Sequence, residues 1–211
     1  MRQDTGQISD LSKPETRREL RLKRSQISSI LRRRHDHAIG QNLYRMIKSQ
    51  DAGSIACYWP FDGEPDTKPI YKRLMDEGCN LVLPVISGDD DHTMQFHPWR
   101  PDMELGKNRY GIPEPPKTEP IPLSSLDMLV IPLVGYDDSG NRLGMGAGYY
   151  DRCLESLRHQ ATPLRVGVAY SIQKINTLVA NKWDIPLHAI VNEHGCFTFV
   201  SEQPQVNFQE D

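Results

Sequence analysis

No Cys-x-x-Cys pair occurs in this chain. Its four cysteines, Cys57, Cys79, Cys153 and Cys196, stand singly. That spacing argues against a thiolate zinc site and for reduced thiols in a cytoplasmic protein. No apolar run approaches the ~20 residues that span a bilayer, so no membrane association is expected. The N-terminus is polar and has no hydrophobic signal segment, so a secretory leader is not expected either. No Gly-Lys-Ser/Thr follows the glycines, which excludes a Walker A loop, and their spacing is not the G-x-G-x-x-G of a dinucleotide fold. No internal repeat is visible.

What is present is ordinary in amount and uneven in placement. Of 211 residues, 37% are hydrophobic and 25% charged, enough for one substantial core. The net charge of −3 conceals an asymmetry: residues 1–50 carry 12 Lys+Arg against 5 Asp+Glu, and the remainder 13 against 23. A basic N-terminal helix can be a solvated face, or can bind nucleic acid, membrane phosphates or a small anion. The expected organisation is a disordered leader over 1–11, a single α/β catalytic domain over 12–200 and a polar tail over 201–211.

Along the chain, Ser12 and Glu15 form a capping box with Pro14 in the first turn, predicting a helix that runs to about Arg34 with Leu20, Ile27 and Leu31 on one face. A second helix is expected over Ala38–Lys48. Strands are expected at Ser54–Trp59, Asn80–Ile86, Met94–His97, Met128–Val134, Leu164–Tyr170 and Cys196–Val200. Helices are expected at Asp66–Glu77, closed by Gly78, and from Gly148 to about Arg158. Ser87–Asp91 reads as an acidic turn. Residues 98–122 are rich in proline and turn formers, and such irregular length usually carries function or flexibility. Continuous apolar strands alternating with helices predict a three-layer α/β/α fold around a mostly parallel, Rossmann-like sheet. Ligands in such sheets sit at the carboxyl ends of the strands.

The most informative stretch is Asn141-Arg-Leu-Gly-Met-Gly-Ala-Gly-Tyr-Tyr-Asp-Arg152. Gly144, Gly146 and Gly148 let backbone N–H groups approach an anion closely. The helix start behind them would add partial positive charge. Arg142 supplies a cation, and Asp151 is placed to hold a metal bridging phosphate oxygens. The alternative is a glycine-rich connection that only turns the chain. A sugar-phosphate isomerase or a transferase would need a placed general base, and no Asp/His dyad accompanies the loop. A nucleic-acid module would use the basic helix, against which the acidic remainder of the chain counts.

This stretch resembles the signature of the 5-formyltetrahydrofolate cyclo-ligase (methenyltetrahydrofolate synthetase) family. Weaker matches follow in order: Arg17-Arg-Glu-Leu-Arg21, Trp59-Pro-Phe-Asp-Gly-Glu-Pro-Asp-Thr67, Gly111-Ile-Pro-Glu-Pro115 and Trp183-Asp-Ile-Pro186. The resemblance implies an ATP- and Mg2+-dependent cyclisation of 5-formyltetrahydrofolate to 5,10-methenyltetrahydrofolate, releasing ADP and phosphate. It implies ATP contacts from Arg17, Arg21 and Arg142, Leu143, Gly144, Met145, Gly146, Ala147, Gly148, Tyr149 and Tyr150. It implies folate contacts from Trp59, Glu64, Met145, Gly146, Ala147, Gly148 and Tyr149, and magnesium held by Asp151 and Asp184. Arg142 and Tyr149 are the best candidates for a catalytic role. The expected partners are a small folate and ATP, with no nucleic acid and no membrane, acting on a monomer.

Overall fold

The structure, a computed structural model, describes residues 12–86, 93–158 and 160–199. The expected leader, the tail from 201 and the acidic turn at 87–91 lie outside the described residues. Helices α1 (Lys13–Ser25) and α2 (Ser29–Ser49) come first. They are followed by β1 (Ser54–Ala56), α3 (Tyr71–Asp76), β2 (Asn80–Ile86) and β3 (Met94–Pro98). A ribbon of β4 (Gly106–Lys107) and β5 (Pro113–Glu114) precedes β6 (Met128–Pro132). A second ribbon, β7 (Gly135–Tyr136) and β8 (Arg142–Leu143), leads to α4 (Tyr149–Leu154), β9 (Leu164–Val168), β10 (Ala189–Asn192) and β11 (Gly195–Thr198).

The seven-stranded sheet has the order β11-β10-β9-β6-β1-β2-β3. β10, β9, β6, β1 and β2 are mutually parallel; β3 and β11 close the edges antiparallel. Taken in chain order, the five parallel strands follow the doubly-wound 2-1-3-4-5 arrangement, so the strand order reverses between β1 and β6. The expected fold class is the one observed.

Alternation along each strand divides the core. Ile55, Leu81, Leu83, Met128, Val130, Val166, Val168, Ala189 and Val191 face α2 and α3. Ala56, Val82, Leu129, Ile131 and Ile190 face the other way, onto Leu154 of α4 and Leu157. This second face is covered by little helix. Irregular segments supply Leu126, Ile185 and Leu187 instead. Strand β9 admits this packing only because residue 167 is glycine. A Cβ there would lie 2.6 Å from Leu187 Cδ1 and 2.8 Å from both Ile190 Cδ1 and Leu133 Cδ2.

The boundaries depart from the sequence reading in instructive ways. Glu15 Oε2 accepts from Ser12 N–H at 3.0 Å and from its hydroxyl at 2.6 Å, so the first helix starts where expected. It stops at Ser25 rather than Arg34, because Ser28 Oγ accepts from Leu31 N–H at 3.3 Å and starts a new helix that runs on through Gly40. The break resets the helical phase. Leu20 is buried, whereas Leu31 is exposed. Of the helix expected over 66–77, the first part is a 3-10 turn at Lys68–Ile70. The helix after the glycines has six residues and then tightens to a 3-10 turn at Glu155–Leu157. Its dipole is correspondingly short, and nearby cations must supply most of the positive field.

Gly167→Ala should lower stability by about 1–3 kcal/mol, seen as a lower urea midpoint at unchanged slope. An unchanged midpoint would mean that the three facing side chains withdraw freely.

Candidate active site

Strands β1 and β6 run side by side, but their crossovers leave in opposite directions. Their carboxyl ends therefore open a crevice that no connection covers. A cleft of about 490 Å3 occupies it. Its floor is Tyr58 and Trp59 after β1, Pro84 and Ile86 at the end of β2, and Pro132 at the end of β6. Helix α1 roofs one side of this edge. Leu20 packs with Val134, Leu143, Ile175 and Leu178, and is close enough to Gly135 that a Cβ there would sit 2.6 Å from Leu20 Cδ1.

The glycine loop forms one wall. Gly146 at φ 108° and Gly148 at φ 72° are left-handed, which side-chain-bearing residues adopt only with strain. Arg17 Nε donates to Gly144 O at 2.8 Å, and Arg152 donates to Ala147 O. In a trans peptide C=O and N–H point oppositely, so the N–H groups of Met145 and Gly148 face away from those guanidiniums. The two tyrosines divide their work. Tyr150 is packed against the core beneath α4, and burial holds its phenol well above the ordinary range. Tyr149 OH accepts from Arg109 Nη2 at 2.6 Å and stands edge-on to Tyr110 from the ribbon loop, ring centroids 6.4 Å apart.

The opposite wall comes from the segment after β1. Trp59 stands edge-on to Trp99, with centroids 6.0 Å apart, and Lys68 Nζ lies 5.0 Å from its ring centre. Trp99 itself is buried between Trp59 and Tyr71 and belongs to the core. The partly buried Glu64 accepts from Phe61 N–H at 3.0 Å. Burial pushes its carboxyl up to about 7, against the opposing pull of that N–H and of Arg24.

Two acids stand at the cleft's rim, each already facing a cation. Asp151 pairs with Arg142, whose side chain is only 5% exposed and which also donates to Ile185 O. One guanidinium thus ties Asp151 to the segment that carries Asp184. Asp184 Oδ2 accepts from Lys13 Nζ at 3.1 Å and from Asn181 N–H at 2.8 Å. Burial works against its charge, but these two donors outweigh it and hold the carboxyl below its usual range.

The cleft thus gathers Arg17, Arg142 to Tyr150, Trp59, Glu64, Asp151 and Asp184 from four separate segments. Arg21 is not among them. It faces a shallower adjoining depression, and its Nε donates to Asp62 Oδ2 at 2.8 Å. Several lining residues had no assigned role in the sequence: Lys13, Tyr110, Glu114, Asn181 and Trp183. Glu114 and Trp183 lie inside segments that carried the resemblance, which was the available signal. Glu114 Oε1 ties Ile86 N–H at 2.9 Å to Asn108 Nδ2 at 2.8 Å, and so docks the β4–β5 ribbon on the end of β2. Trp183, 60% exposed, leaves apolar surface open to the cleft with Met145 and Tyr110, as a ligand-binding wall does.

Among known proteins, the chain matches the model of the 5-formyltetrahydrofolate cyclo-ligase family over residues 9–193. It is 35% identical over 177 residues to a 5-formyltetrahydrofolate cyclo-ligase of Haemophilus influenzae, covering 83% of this chain and 94% of that protein. It is 41% identical over 142 residues to the Escherichia coli K12 protein of the same name, covering 66% and 78%. A 5,10-methenyltetrahydrofolate synthetase structure from Aquifex aeolicus superposes with a TM-score of 0.79 at 30% identity, covering 93% and 97%. One from Mycoplasma pneumoniae superposes with a TM-score of 0.70 at 26% identity, covering 87% and 99%. With its fold and nearly its whole length matched in this way, the chain belongs to the 5-formyltetrahydrofolate cyclo-ligase family.

Proposed function

We propose that the cleft binds ATP and 5-formyltetrahydrofolate together and closes the folate's one-carbon ring at the expense of ATP. The carrying observation is that one cleft holds both a cation-ringed glycine loop and an aromatic wall with a carboxyl group. The loop suits a chain of phosphates. Trp59 and Glu64 suit a flat heterocycle bearing N–H donors. Met145 to Tyr149, on the loop wall across from Trp59, border both ligands. The four cysteines are all free, in keeping with a cytoplasmic setting.

A formamide carbon is a poor electrophile and its oxygen a poor leaving group. The formyl oxygen attacks the terminal phosphorus, the bond to the bridging oxygen breaks, and ADP leaves. N10 of the same folate then attacks the activated carbon. Loss of the N10 proton and cleavage of the C–O bond give the methenyl bridge and inorganic phosphate, which carries that proton away. The protein's part is alignment and charge neutralisation. Arg17 and Arg142 are the cations set on the loop. Arg142 reaches phosphate by exchanging one acidic partner, Asp151, for another. Arg21 contributes only if it releases Asp62. Tyr149, held by Arg109, fixes the loop's far end over the reacting groups.

Asp151 and Asp184 fit a magnesium ion carried in on phosphate. Both lie on the cleft and both already hold positive charge. Among the described residues no group of three or more His, Cys, Asp or Glu side chains converges, so a complete protein cage is absent there. Magnesium ordinarily takes one or two carboxylates, with phosphate oxygens and water completing its shell. When bound, the ion neutralises the phosphate oxygens.

Asp151→Asn should lower kcat by about a hundredfold or more and raise the Mg2+ concentration needed for half-maximal rate. The checks are the absorbance of methenyltetrahydrofolate and the release of ADP. Wild-type turnover in this variant would remove Asp151 as a metal ligand, and wild-type protein inactive with ATP, Mg2+ and the folate would remove the proposed function. Glu64 accepts hydrogen bonds from the heterocycle in its ionised form. As pH falls through about 7 the carboxyl gains a proton, so kcat/KM for the folate should fall on the acid side. In Glu64→Gln that limb should disappear and KM for the folate should rise; an unchanged limb would assign it to another group.

A further inference from the structure

The segment after β1 must turn back over the cleft before α3. It does so through two consecutive left-handed residues, Asp62 at φ 51° and Gly63 at φ 77°. Aspartate enters this region more readily than most residues, but still at a cost, so surrounding contacts must hold it there. Three guanidiniums do so. Arg24 Nη2 donates to Asp62 O at 2.8 Å and to its Oδ2 at 3.0 Å. Arg21 Nε shares that Oδ2 at 2.8 Å, and Arg32 Nη1 donates to Gly63 O at 2.7 Å. Arg32 Nη2 in turn donates to Arg24 O at 2.6 Å, locking α2 to α1.

Arg24 is 1% exposed, and its Nη1 also reaches Leu133 O, just beyond β6, at 3.4 Å. A buried ion pair is weak evidence of stabilisation, since apolar residues of the same volume often do as well. What this one accomplishes is geometric. A single guanidinium joins the loop that follows β1 to the end of β6, the two strands that flank the crevice. The next residue beyond the clasped pair is Glu64.

We propose that Asp62 is a positioning residue for Glu64: clasped by Arg24, it sets where that carboxylate meets the folate. The inference rests on the folate-side reading of Glu64 above. Asp62 touches no substrate and acts only through the loop it pins. The charged and titratable groups facing Glu64 are Arg24 from α1, Asp62 on its own loop, Tyr58 after β1 and Tyr150 on α4.

The test is Asp62→Asn, in which a left-handed backbone remains accessible but the charged clasp is gone. An Arg24→Met/Asp62→Asn double variant serves as companion, because it also removes the buried guanidinium and so eliminates an unpaired charge as a cause of misfolding. In both, KM for 5-formyltetrahydrofolate should rise about tenfold while KM for ATP stays within about twofold. In Asp62→Asn the acid limb of kcat/KM for the folate should also move to lower pH, because loss of the neighbouring negative charge favours the ionised carboxyl; the double variant also loses the favourable pull of Arg24 and is read by its KM values alone. A wild-type folate KM with an unmoved limb would overturn the proposal, as would equal increases in both KM values, which mark general loosening. Glu64→Gln, assayed beside them, separates the two readings. If it too keeps the wild-type folate KM, Glu64 is not the acceptor and the clasp has nothing to position.

Discussion

The reversal of strand order between β1 and β6 is the constraint on which the rest of this molecule depends. At every other place in the parallel sheet, a crossover passes over the strand ends. Here the chain leaves in two directions and the ends stay open. The segment after β1 brings Trp59 and Glu64 to the gap, and the chain after β6 brings the β7–β8 ribbon and the glycine loop. Helix α1, far away in sequence, is pulled onto this edge by Leu20 and supplies Lys13 and Arg17.

The basic character of the first fifty residues takes its meaning from that placement. Arg17 binds the carbonyl of Gly144, Arg21 and Arg24 bind Asp62, and Arg32 binds Gly63. These arginines are internal fasteners between the N-terminal helices and the loops of the cleft. Guanidinium suits the task because one planar group can donate to a carbonyl and a carboxylate at once, as Arg24 does with Asp62. Arg142 repeats the principle across the rim, between Asp151 and Ile185 O.

Legibility in the sequence followed how local the governing interaction was. The strand at 80–86 was readable to the residue, because a continuous apolar run follows a glycine at φ 90°. The start of α1 was readable because its cap is made within four residues. The break at 26–28 is the exception: the Ser28 cap is as local, but Leu31 stands where a Glu or Gln would complete a capping box, so the apolar pattern runs through it unmarked. Strand β10 is not legible in the sequence, because its four buried residues form a strand through pairing with Val166–Val168 and Gly195–Thr198, neighbours supplied by the fold. The glycine loop was conspicuous because its chemistry is written in consecutive residues. Asp62 is not, because what makes it notable is two arginines from α1, a helix remote in sequence.

The order of residues alone settled the class of fold, through strand-length apolar runs alternating with helices, and the family, through twelve consecutive positions from Asn141 to Arg152. Both are properties of short stretches, whose physics needs no distant partner. Which cation meets which acid, which tyrosine packs on the core and which meets Arg109, and why Glu64 holds its proton to about 7, came from the assembled chain. Burial and charge pairing are set by groups that are remote in sequence and adjacent only after folding.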